Sequence, residues 1–343
     1  MKPSISDVPN PEPEHFMLGD LPLQSGAILH DAVLVYKTWG TLNAAKSNAI
    51  VLPTAYGGTH NDNAWLTEAG RALDSREWFV ISPNMFGAGL SSSPSNIPGA
   101  QHGANFPQVS VYDNVAAQYR LVTEQFGLSQ LALVAGFSMG AQQSFHWAAA
   151  YPQMVKRIAP YCGSARTAHH NYVFLEGIKA TLTTDPSFKN GDYEQQPIVG
   201  KRAVGRVWAG WGLSQTFYRE ERWNEMGLPS REAVLERYAE MFEAGDANDL
   251  LAMLWTWQHA DIGAHPRYGG DFVRALTAIT AKAVVMPSQT DLYFPPEDSE
   301  LEVRHMPNAR LAVIPSIWGH AAGGNSNPLD SAFINNQIAR LLV

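Results

Sequence analysis

The chain has 343 residues, 45% of them hydrophobic and 16% charged, with 28 glycines and 22 prolines, which are the proportions of an ordinary globular protein with a large core. Its formal net charge of −8 argues against a nucleic-acid partner, and the lone Cys162 excludes an intramolecular disulfide and a cysteine cluster for a metal ion. No apolar run approaches the ~18 residues of a membrane span, and the polar, proline-rich N-terminus is not a leader pattern, so we expect a cytoplasmic protein without membrane contact.

Short apolar runs alternate with helical patterns in two blocks of the chain. The first block predicts strands at 32–40, 48–56, 78–86, 131–138 and 156–163, and helices at 63–74, 111–127 and 139–151. The second block predicts strands at 281–291 and 309–320 and a closing helix at 331–342. Nearly continuous apolar strands separated by helices are typical of a mostly parallel sheet with helices on both faces.

Residues 165–270 differ from the blocks on either side. Helical periodicity is clear at 230–245 and 247–260, and no clear strand appears. The simplest organisation is a core whose first part spans 1–164 and whose second part spans 271–343, with an all-helical lid inserted between them. We expect most of the lid tryptophans to pack it onto the core and one or two to line an apolar channel: Trp208, Trp211, Trp223, Trp255 and Trp257. The first dozen residues are predicted to be a poorly ordered tail or a strap.

The sequence GFSMG at 136–140 has the pattern G-x-S-x-G, which alone is a weak signal. Its context strengthens it, because the motif follows a predicted strand and leads directly into a predicted helix, as in a nucleophile elbow. The sharp turn requires small residues two before and two after Ser138, and the helix N-terminus behind it offers N–H groups to a developing oxyanion. Ser138 is therefore the predicted nucleophile, and an idle serine in a strand-to-helix turn is the alternative.

A serine hydroxyl needs a base to remove its proton, and the base needs a carboxylate to fix its tautomer. The expected chain order after such an elbow is Ser, then Asp or Glu, then His, on loops after late strands. Asp291 follows the strand pattern AVVMPSQT, and His320 follows LAVIPSIWG. Both are delivered to the carboxyl edge of the sheet, so Ser138, Asp291 and His320 form the predicted triad. This chemistry requires no cofactor and no metal ion.

Other residues compete for these roles. We expect His146, on the helix after Ser138, to be a helix-face residue, and the pair His169-His170 has no third ligand at a metal-site spacing. The remaining competing histidines are His60, His102, His259, His265 and His305. The oxyanion donors are predicted to be the backbone N–H groups of Met139 and of Tyr56 in the loop PTAYGGTHND, with Ala55 or Gly57 as alternatives to Tyr56.

Six stretches of the chain together resemble the homoserine O-acetyltransferase family of α/β hydrolases, from about residue 18 to the end: VYKTWGTLNAAKSNAIVLPTAYGG, ALDSREWFVISPNMFGAGLSS, GFSMGAQQSFHWAAAYP, TDPSFKNGDYEQQP, GDANDLL and DLYFPPEDSE. The resemblance implies an α/β-hydrolase fold with an inserted helical lid and a homodimer formed through lid helices. It also implies an acyl-enzyme on Ser138, with Asp291 and His320 completing the triad. The transferases pass an acetyl group from acetyl-CoA to homoserine, whereas hydrolases of the family pass it from a small ester to water.

Three positions help to distinguish a transferase from a hydrolase. The family's transferases have Gly-His-Asp, with the aspartate recognising the homoserine amino group, whereas this chain has Ala321 after His320. A lost charged hydrogen bond is worth ~1.5 to 3 kcal/mol of binding. Phe137 replaces a glycine next to the nucleophile and favours an alkyl ester. Arg206 resembles the family's carboxylate-binding arginine, with a lid salt bridge as the alternative role.

These departures favour a serine esterase, a carboxylic ester hydrolase that cleaves small acetyl-type esters. The first alternative is a homoserine O-acetyltransferase or a related acyl-CoA-dependent O-acyltransferase. The second alternative, from another class, is a non-catalytic binding or scaffold protein that keeps the fold. The predicted partner is thus a small ester, and the predicted assembly is a homodimer.

Overall fold

The computed structural model describes residues 12–343, so the predicted N-terminal tail or strap at 1–11 lies outside the described residues. The strands are β1 Glu14–Pro22, β2 Ile28–Trp39, β3 Ala49–Val51, β4 Phe79–Pro83, β5 Leu133–Phe137, β6 Arg157–Tyr161, β7 Lys282–Val285 and β8 Ala309–Leu311. They form one sheet in the order β1-β2-β4-β3-β5-β6-β7-β8. The strands from β3 to β8 pair in parallel, while β1 and β2 run antiparallel to their neighbours.

The helices are α1 Val111–Arg120, α2 Met139–Ala150, α3 His169–Thr183, α4 Ile198–Gly212, α5 Gln215–Arg219, α6 Arg231–Glu243, α7 Ala247–Gln258, α8 Phe272–Thr277, α9 Pro296–Val303 and α10 Pro328–Leu342. Helix α1 continues into a π-helical turn, Leu121–Gln125, which completes the predicted helix at 111–127. Every predicted strand overlaps an observed one, although β2 begins four residues before the predicted start at 32, and the mostly parallel sheet is confirmed. No helix among the described residues is both long and apolar enough to cross a bilayer.

The central strands explain the apolar runs of the sequence. Every residue of β3 and β4 is buried, because helices cover both faces of the sheet at these positions. Strand β1 was not predicted, since it lies at the sheet edge and exposes most of its side chains. Its mixed polarity therefore lacks the alternation by which a strand is recognised in a sequence.

The predicted helix at 63–74 is wrong in length. A 3-10 helix occupies His60–Thr67, and its start is fixed by Thr59 and Asp62, which form a reciprocal capping box. The helix ends at its C-cap residue Glu68, whose ψ of 157° is extended, and Gly70 then has φ +82°, which a helix does not contain.

Helices α3 to α7, residues 169–258, form what we call the helical insertion. Among the described residues between β6 and β7 there is no strand, only an isolated bridge from Arg166 to Asp261. Trp208 and Trp257 are buried where the insertion meets the core, and Trp223 is buried as well. This agrees with the packing role expected for most of these rings. The limits 165–270 of a separate lid stay a prediction.

The buried carboxyl group of Glu302 holds the loop that follows β6 in place by a hydrogen bond. Glu302 of α9 is 3% exposed, and its Oε1 accepts a hydrogen bond of 2.6 Å from the Ala165 N–H. Its Oε2 has no partner among the described residues. Burial raises the pKa of Glu302 to about 8, the charge of Asp298 adds to the rise, and the Ala165 N–H and the charge of Arg166 oppose it. Glu302 is therefore a neutral acid at pH 7.

We predict that Glu302→Gln stabilises the protein in alkaline solution. The folded protein keeps this proton up to about pH 8, whereas a freely exposed carboxyl loses it near its ordinary value of 4.5, so wild-type stability falls as pH rises between these values. The glutamine stays neutral, and the free energy of unfolding should exceed that of the wild type by about 4–5 kcal/mol at roughly pH 8.5 while differing little near pH 4.5. Urea unfolding at both pH values measures this.

The control for this prediction is Glu300→Gln, which changes an exposed carboxylate on the same helix. It should leave the pH dependence of stability as in the wild type. Parallel pH dependence in Glu302→Gln and the wild type would show that the buried carboxyl is not a neutral acid.

Candidate active site

Ser138 occupies a strained turn between β5 and α2. Its φ of 55° and ψ of −120° lie outside the regions that non-glycine residues usually adopt. The surrounding backbone holds it there: the Ser138 N–H donates to the Tyr161 carbonyl at 3.0 Å, and the Ser138 carbonyl accepts from the Ala141 N–H at 2.9 Å. The strain fixes the direction of the hydroxyl at the carboxyl edge of the sheet.

Small residues make this turn possible. A Cβ on Gly136 would collide with the backbone of Gly140. A Cβ on Gly140 would lie 2.6 Å from the Pro53 carbonyl oxygen, and one on Gly163 would lie 2.6 Å from the Ser138 carbonyl oxygen. The prediction that side chains two before and two after the serine would collide with backbone is confirmed.

The structure brings Ser138, Asp291 and His320 together. His320 Nε2 lies 3.0 Å from Ser138 Oγ, and His320 Nδ1 lies 2.8 Å from Asp291 Oδ2. Since a carboxylate can only accept, Nδ1 carries the proton of the neutral ring, and Nε2 is left to accept from the serine hydroxyl. This tautomer suits a general base for Ser138.

The carboxylate of Asp291 is fully satisfied without water. Its side chain has no exposed surface, and its second oxygen, Oδ1, accepts from the backbone N–H groups of Tyr293 at 2.8 Å and Phe294 at 3.2 Å. These bonds prevent the carboxylate from rotating away from His320. A base held by a fixed carboxylate keeps its orientation when it becomes charged.

Aromatic rings enclose the imidazole of His320. The ring centroid of Phe137 lies 4.7 Å away, that of Tyr293 lies 4.8 Å away edge-on, and that of Phe294 lies 5.6 Å away. Phe137 also stacks on Tyr161 at 5.9 Å. The low polarity of these surroundings strengthens the hydrogen bonds between the three polar side chains.

The two backbone N–H groups predicted to bind an oxyanion are not used in other hydrogen bonds of the described residues. Among the described residues, the N–H groups of Tyr56 and Met139 have no acceptor. Ala55 also has a free N–H, whereas Gly57 donates to Met253 Sδ at 3.3 Å. The loop after β3 therefore leaves two candidate oxyanion donors, the N–H groups of Tyr56 and Ala55. Met139, at the N-terminus of α2, is the candidate for the other donor.

Gln143 is a residue that sequence reasoning missed. From α2 its Nε2 donates to the Thr54 carbonyl at 2.9 Å, and its Oε1 accepts from Gln118 Nε2 at 2.6 Å. Gln143 thus ties the loop with Tyr56 to the helix that begins at Met139. The signal in the sequence was an amide pair, Gln142 and Gln143, on a helix that is otherwise mostly apolar or small.

Of the three residues predicted to contact substrate, two lie beside the triad. Phe137 contacts His320. Ala321 follows His320 in a 3-10 turn, Gly319–Gly323. Arg206 does not join them: it is half exposed on α4 and pairs with Glu236 at 3.2 Å. This pairing favours the alternative role, a salt bridge within the helical insertion, and the substrate role of Arg206 stays a prediction.

The competing histidines have other surroundings. Burial lowers the pKa of His146 to about 3, so its ring is neutral, and it faces Tyr112 and His265. His60 is buried against Asn84, with 3.2 Å between its Nδ1 and the Asn84 Oδ1. Neither ring contacts Ser138.

A cavity of about 610 Å³ lies between the loop after β3 and the turn that follows His320. Its wall includes Tyr56, Tyr161 and Phe137, and the Phe137 ring also packs against His320. The charged residues among the described lining are two carboxylates, Asp62 and Glu68, without a lysine, arginine or histidine. The described lining therefore offers no cationic side chain to an anionic ligand, although Arg71 pairs with Glu68 from outside it at 3.9 Å.

Known proteins resemble this chain over most of its length. A family model described as alpha/beta hydrolase fold matches residues 48–196. A probable esterase of Corynebacterium glutamicum is 40% identical over 310 residues, covering 88% of each chain. The ethyl acetate hydrolase of Pseudomonas veronii is 39% identical over 332 residues, covering 95% of this chain and 94% of that one. A homoserine O-succinyltransferase of Methylibium petroleiphilum is 32% identical over 338 residues, covering 88% and 87%.

This chain belongs to the homoserine O-acetyltransferase-like family of α/β hydrolases. The crystal structure of an acetylester hydrolase from Corynebacterium glutamicum matches its fold with a TM-score of 0.93 and 37% identity, over 96% of both chains. The family and the fold class predicted from the sequence are confirmed. Within the family, the two relatives named as ester hydrolases share more identity with this chain than the transferase does.

We predict that Gly323→Ala impairs the reactivity of Ser138. A Cβ on Gly323 would collide with the Phe137 ring, which must then move against His320. A displaced base should slow phosphonylation of Ser138 by a fluorophosphonate about tenfold. Intact-protein mass spectrometry measures the rate of labelling.

The matched control is Gly324→Ala, because a Cβ there would have its nearest neighbour at an ordinary distance of 3.5 Å. Its labelling rate should equal that of the wild type. Equal rates in both variants would mean that the Phe137 ring does not hold the base in place.

Proposed function

We propose that this protein is a serine-dependent carboxylic ester hydrolase that cleaves small, acetyl-type esters. The observation that carries the proposal is the continuous hydrogen-bonded relay from Ser138 Oγ through His320 to Asp291 Oδ2, at 3.0 and 2.8 Å. The strained turn at Ser138 and the free N–H groups nearby supply the other requirements of acyl transfer.

Acylation begins when His320 Nε2 takes the proton of Ser138 as Oγ attacks the ester carbonyl carbon. The carbonyl oxygen becomes an oxyanion and accepts hydrogen bonds from the N–H groups of Met139 and Tyr56. Asp291 stabilises the imidazolium without taking its proton. The intermediate then collapses, the bond to the alcohol oxygen breaks, and the alcohol leaves with the proton from His320.

Deacylation repeats these steps with water as the nucleophile. His320 takes a proton from water, the hydroxide attacks the acyl carbon, and the same N–H groups stabilise the second oxyanion. Ser138 regains its proton as the carboxylic acid leaves. Each step uses side chains and backbone groups of the chain itself, so the proposal includes no cofactor.

Three observations support hydrolysis over transfer to homoserine. Ala321 gives the turn after His320 no carboxylate for an amino group. Arg206 is paired with Glu236 and is not among the described residues that line the cavity beside Phe137. The charged residues of that wall are acidic, which disfavours the phosphates of an acyl-CoA. The named activity of the ethyl acetate hydrolase relative points to small acetyl esters in the same way.

We predict that acetate release dominates over transfer. The protein should release acetate from p-nitrophenyl acetate and ethyl acetate at a rate unaffected by added homoserine, and it should form little O-acetylhomoserine from acetyl-CoA. Liquid chromatography with mass spectrometry quantifies both products. Efficient formation of O-acetylhomoserine with slow acetate release would identify the transferase instead.

Ser138→Ala is the matched variant for this experiment. It should reduce ester turnover by at least about 10³-fold, because no other described group occupies the nucleophile position. Wild-type turnover in Ser138→Ala would dissociate the activity from this site and favour the scaffold alternative.

We further propose a cytoplasmic homodimer formed through the helical insertion. Exposed apolar side chains on its helices support this assembly, since a monomer would leave them in water: Val173, Val199, Val207, Leu235 and Met241. The family resemblance also implies a homodimer formed through these helices.

We predict that Val199→Glu weakens the dimer. The wild type should sediment at twice its chain mass of 37.6 kDa, and the variant should shift toward that mass because a carboxylate would be buried in the interface. Leu329→Glu is the control, since Leu329 is similarly exposed on α10, outside the insertion. A wild-type monomer at micromolar concentration in analytical ultracentrifugation would refute the assembly.

A further inference from the structure

The helical insertion makes direct contact with the residues that precede His320. Ser214, at the start of α5, donates its hydroxyl hydrogen to the Ile317 carbonyl and accepts from the Phe217 N–H at 3.0 Å. The ring of Phe217 lies edge-on to Trp318, at 5.1 Å between centroids. Two successive residues before His320 are thus each contacted from the α4–α5 junction.

The third contact is between backbones. A Cβ on Gly319 would lie 2.9 Å from the Ser214 nitrogen and 3.0 Å from the Gly212 carbonyl oxygen, and Gly319 has φ +63°. Only glycine combines that conformation with so close an approach. Gly319, the residue before His320, therefore packs directly against the helical insertion.

The core holds the same residue from its other side. The Gly319 N–H donates to Thr290 Oγ1 at 3.1 Å, and Thr290 donates its hydroxyl hydrogen to the Ser316 carbonyl at 2.9 Å. Thr290 precedes Asp291, so the loops that carry the acid and the base are joined by a side chain. Gly319 thus lies between Thr290 of the core and Ser214 of the insertion.

We propose that Ser214 is a positioning residue for His320, so that the packing of the helical insertion against residues 317–319 is part of the catalytic geometry. The inference rests on the proposed roles of Ser138 and His320. Ser214 is 3% exposed, so water does not readily replace its bond to the Ile317 carbonyl. Without this bond, the segment 317–319 loses its side-chain hydrogen bond from the insertion, and the imidazole is less often aligned with Ser138 Oγ.

The test compares Ser214→Ala with variants that separate positioning from folding. Ser214→Ala should lower kcat for p-nitrophenyl acetate about tenfold while KM changes less than about twofold, because alignment of the base affects the chemical step more than substrate binding. Ser214→Thr keeps a hydroxyl that can both donate and accept, and it should restore most of kcat. In proton NMR spectra, the downfield His320 Nδ1–H resonance should broaden in Ser214→Ala and return in Ser214→Thr.

Ser230→Ala is the matched control. Ser230 starts α6 and accepts from the Ala233 N–H at 3.2 Å, so this substitution also removes a serine cap from a helix of the insertion, away from His320. It should leave kcat and the Nδ1–H resonance unchanged, and it should lower thermal stability by less than Ser214→Ala does, because Ser230 is partly exposed and its removal leaves no buried carbonyl without a partner. Equal kcat values in Ser214→Ala and Ser230→Ala would overturn the positioning role.

Ser138→Ala distinguishes this failure from failure of the proposed function. If Ser138→Ala is inactive and Ser214→Ala has wild-type kcat, the positioning role alone is wrong. If Ser138→Ala keeps its turnover, the proposed triad is wrong and the positioning role falls with it.

Discussion

The close approach of backbone segments around Ser138 is the constraint on which the site depends. The segments at Gly140 and Gly163 leave no room for a Cβ, since Pro53 and the Ser138 carbonyl lie 2.6 Å from the positions that a Cβ would take. This crowding costs conformational energy at Ser138 itself, which adopts φ 55°. In return, the hydroxyl projects from the sheet edge, and the first N–H of α2 lies directly behind it.

The rest of the site places a short polar relay in apolar surroundings. Asp291 has no exposed side-chain surface, and the rings of Phe137 and Tyr293 flank His320. Water is largely excluded from the relay, so its surroundings have low polarity. Asp291 and the backbone donors therefore stabilise the charges that form during the reaction more strongly than they would in water. The same surroundings offer little to a zwitterionic acceptor, which agrees with the proposed preference for small neutral esters.

The sequence allowed the parts of the site that lie at strand ends to be predicted. Ser138, Asp291 and His320 each follow an apolar run, and buried parallel strands make such runs conspicuous. Gln143, Thr290 and Ser214 could not be predicted in this way, because their roles depend on contacts between elements distant in the chain. For Arg206, the resemblance in sequence could not reveal Glu236 as its partner.

The contact between Gly319 and the α4–α5 junction bears on how a substrate reaches Ser138. A hinged cover that swings away for each turnover would pull on the loop that carries His320 and would disassemble the relay every cycle. The contact therefore favours an insertion that stays in place during turnover, with ester and product exchanging beside it rather than beneath a moving cover.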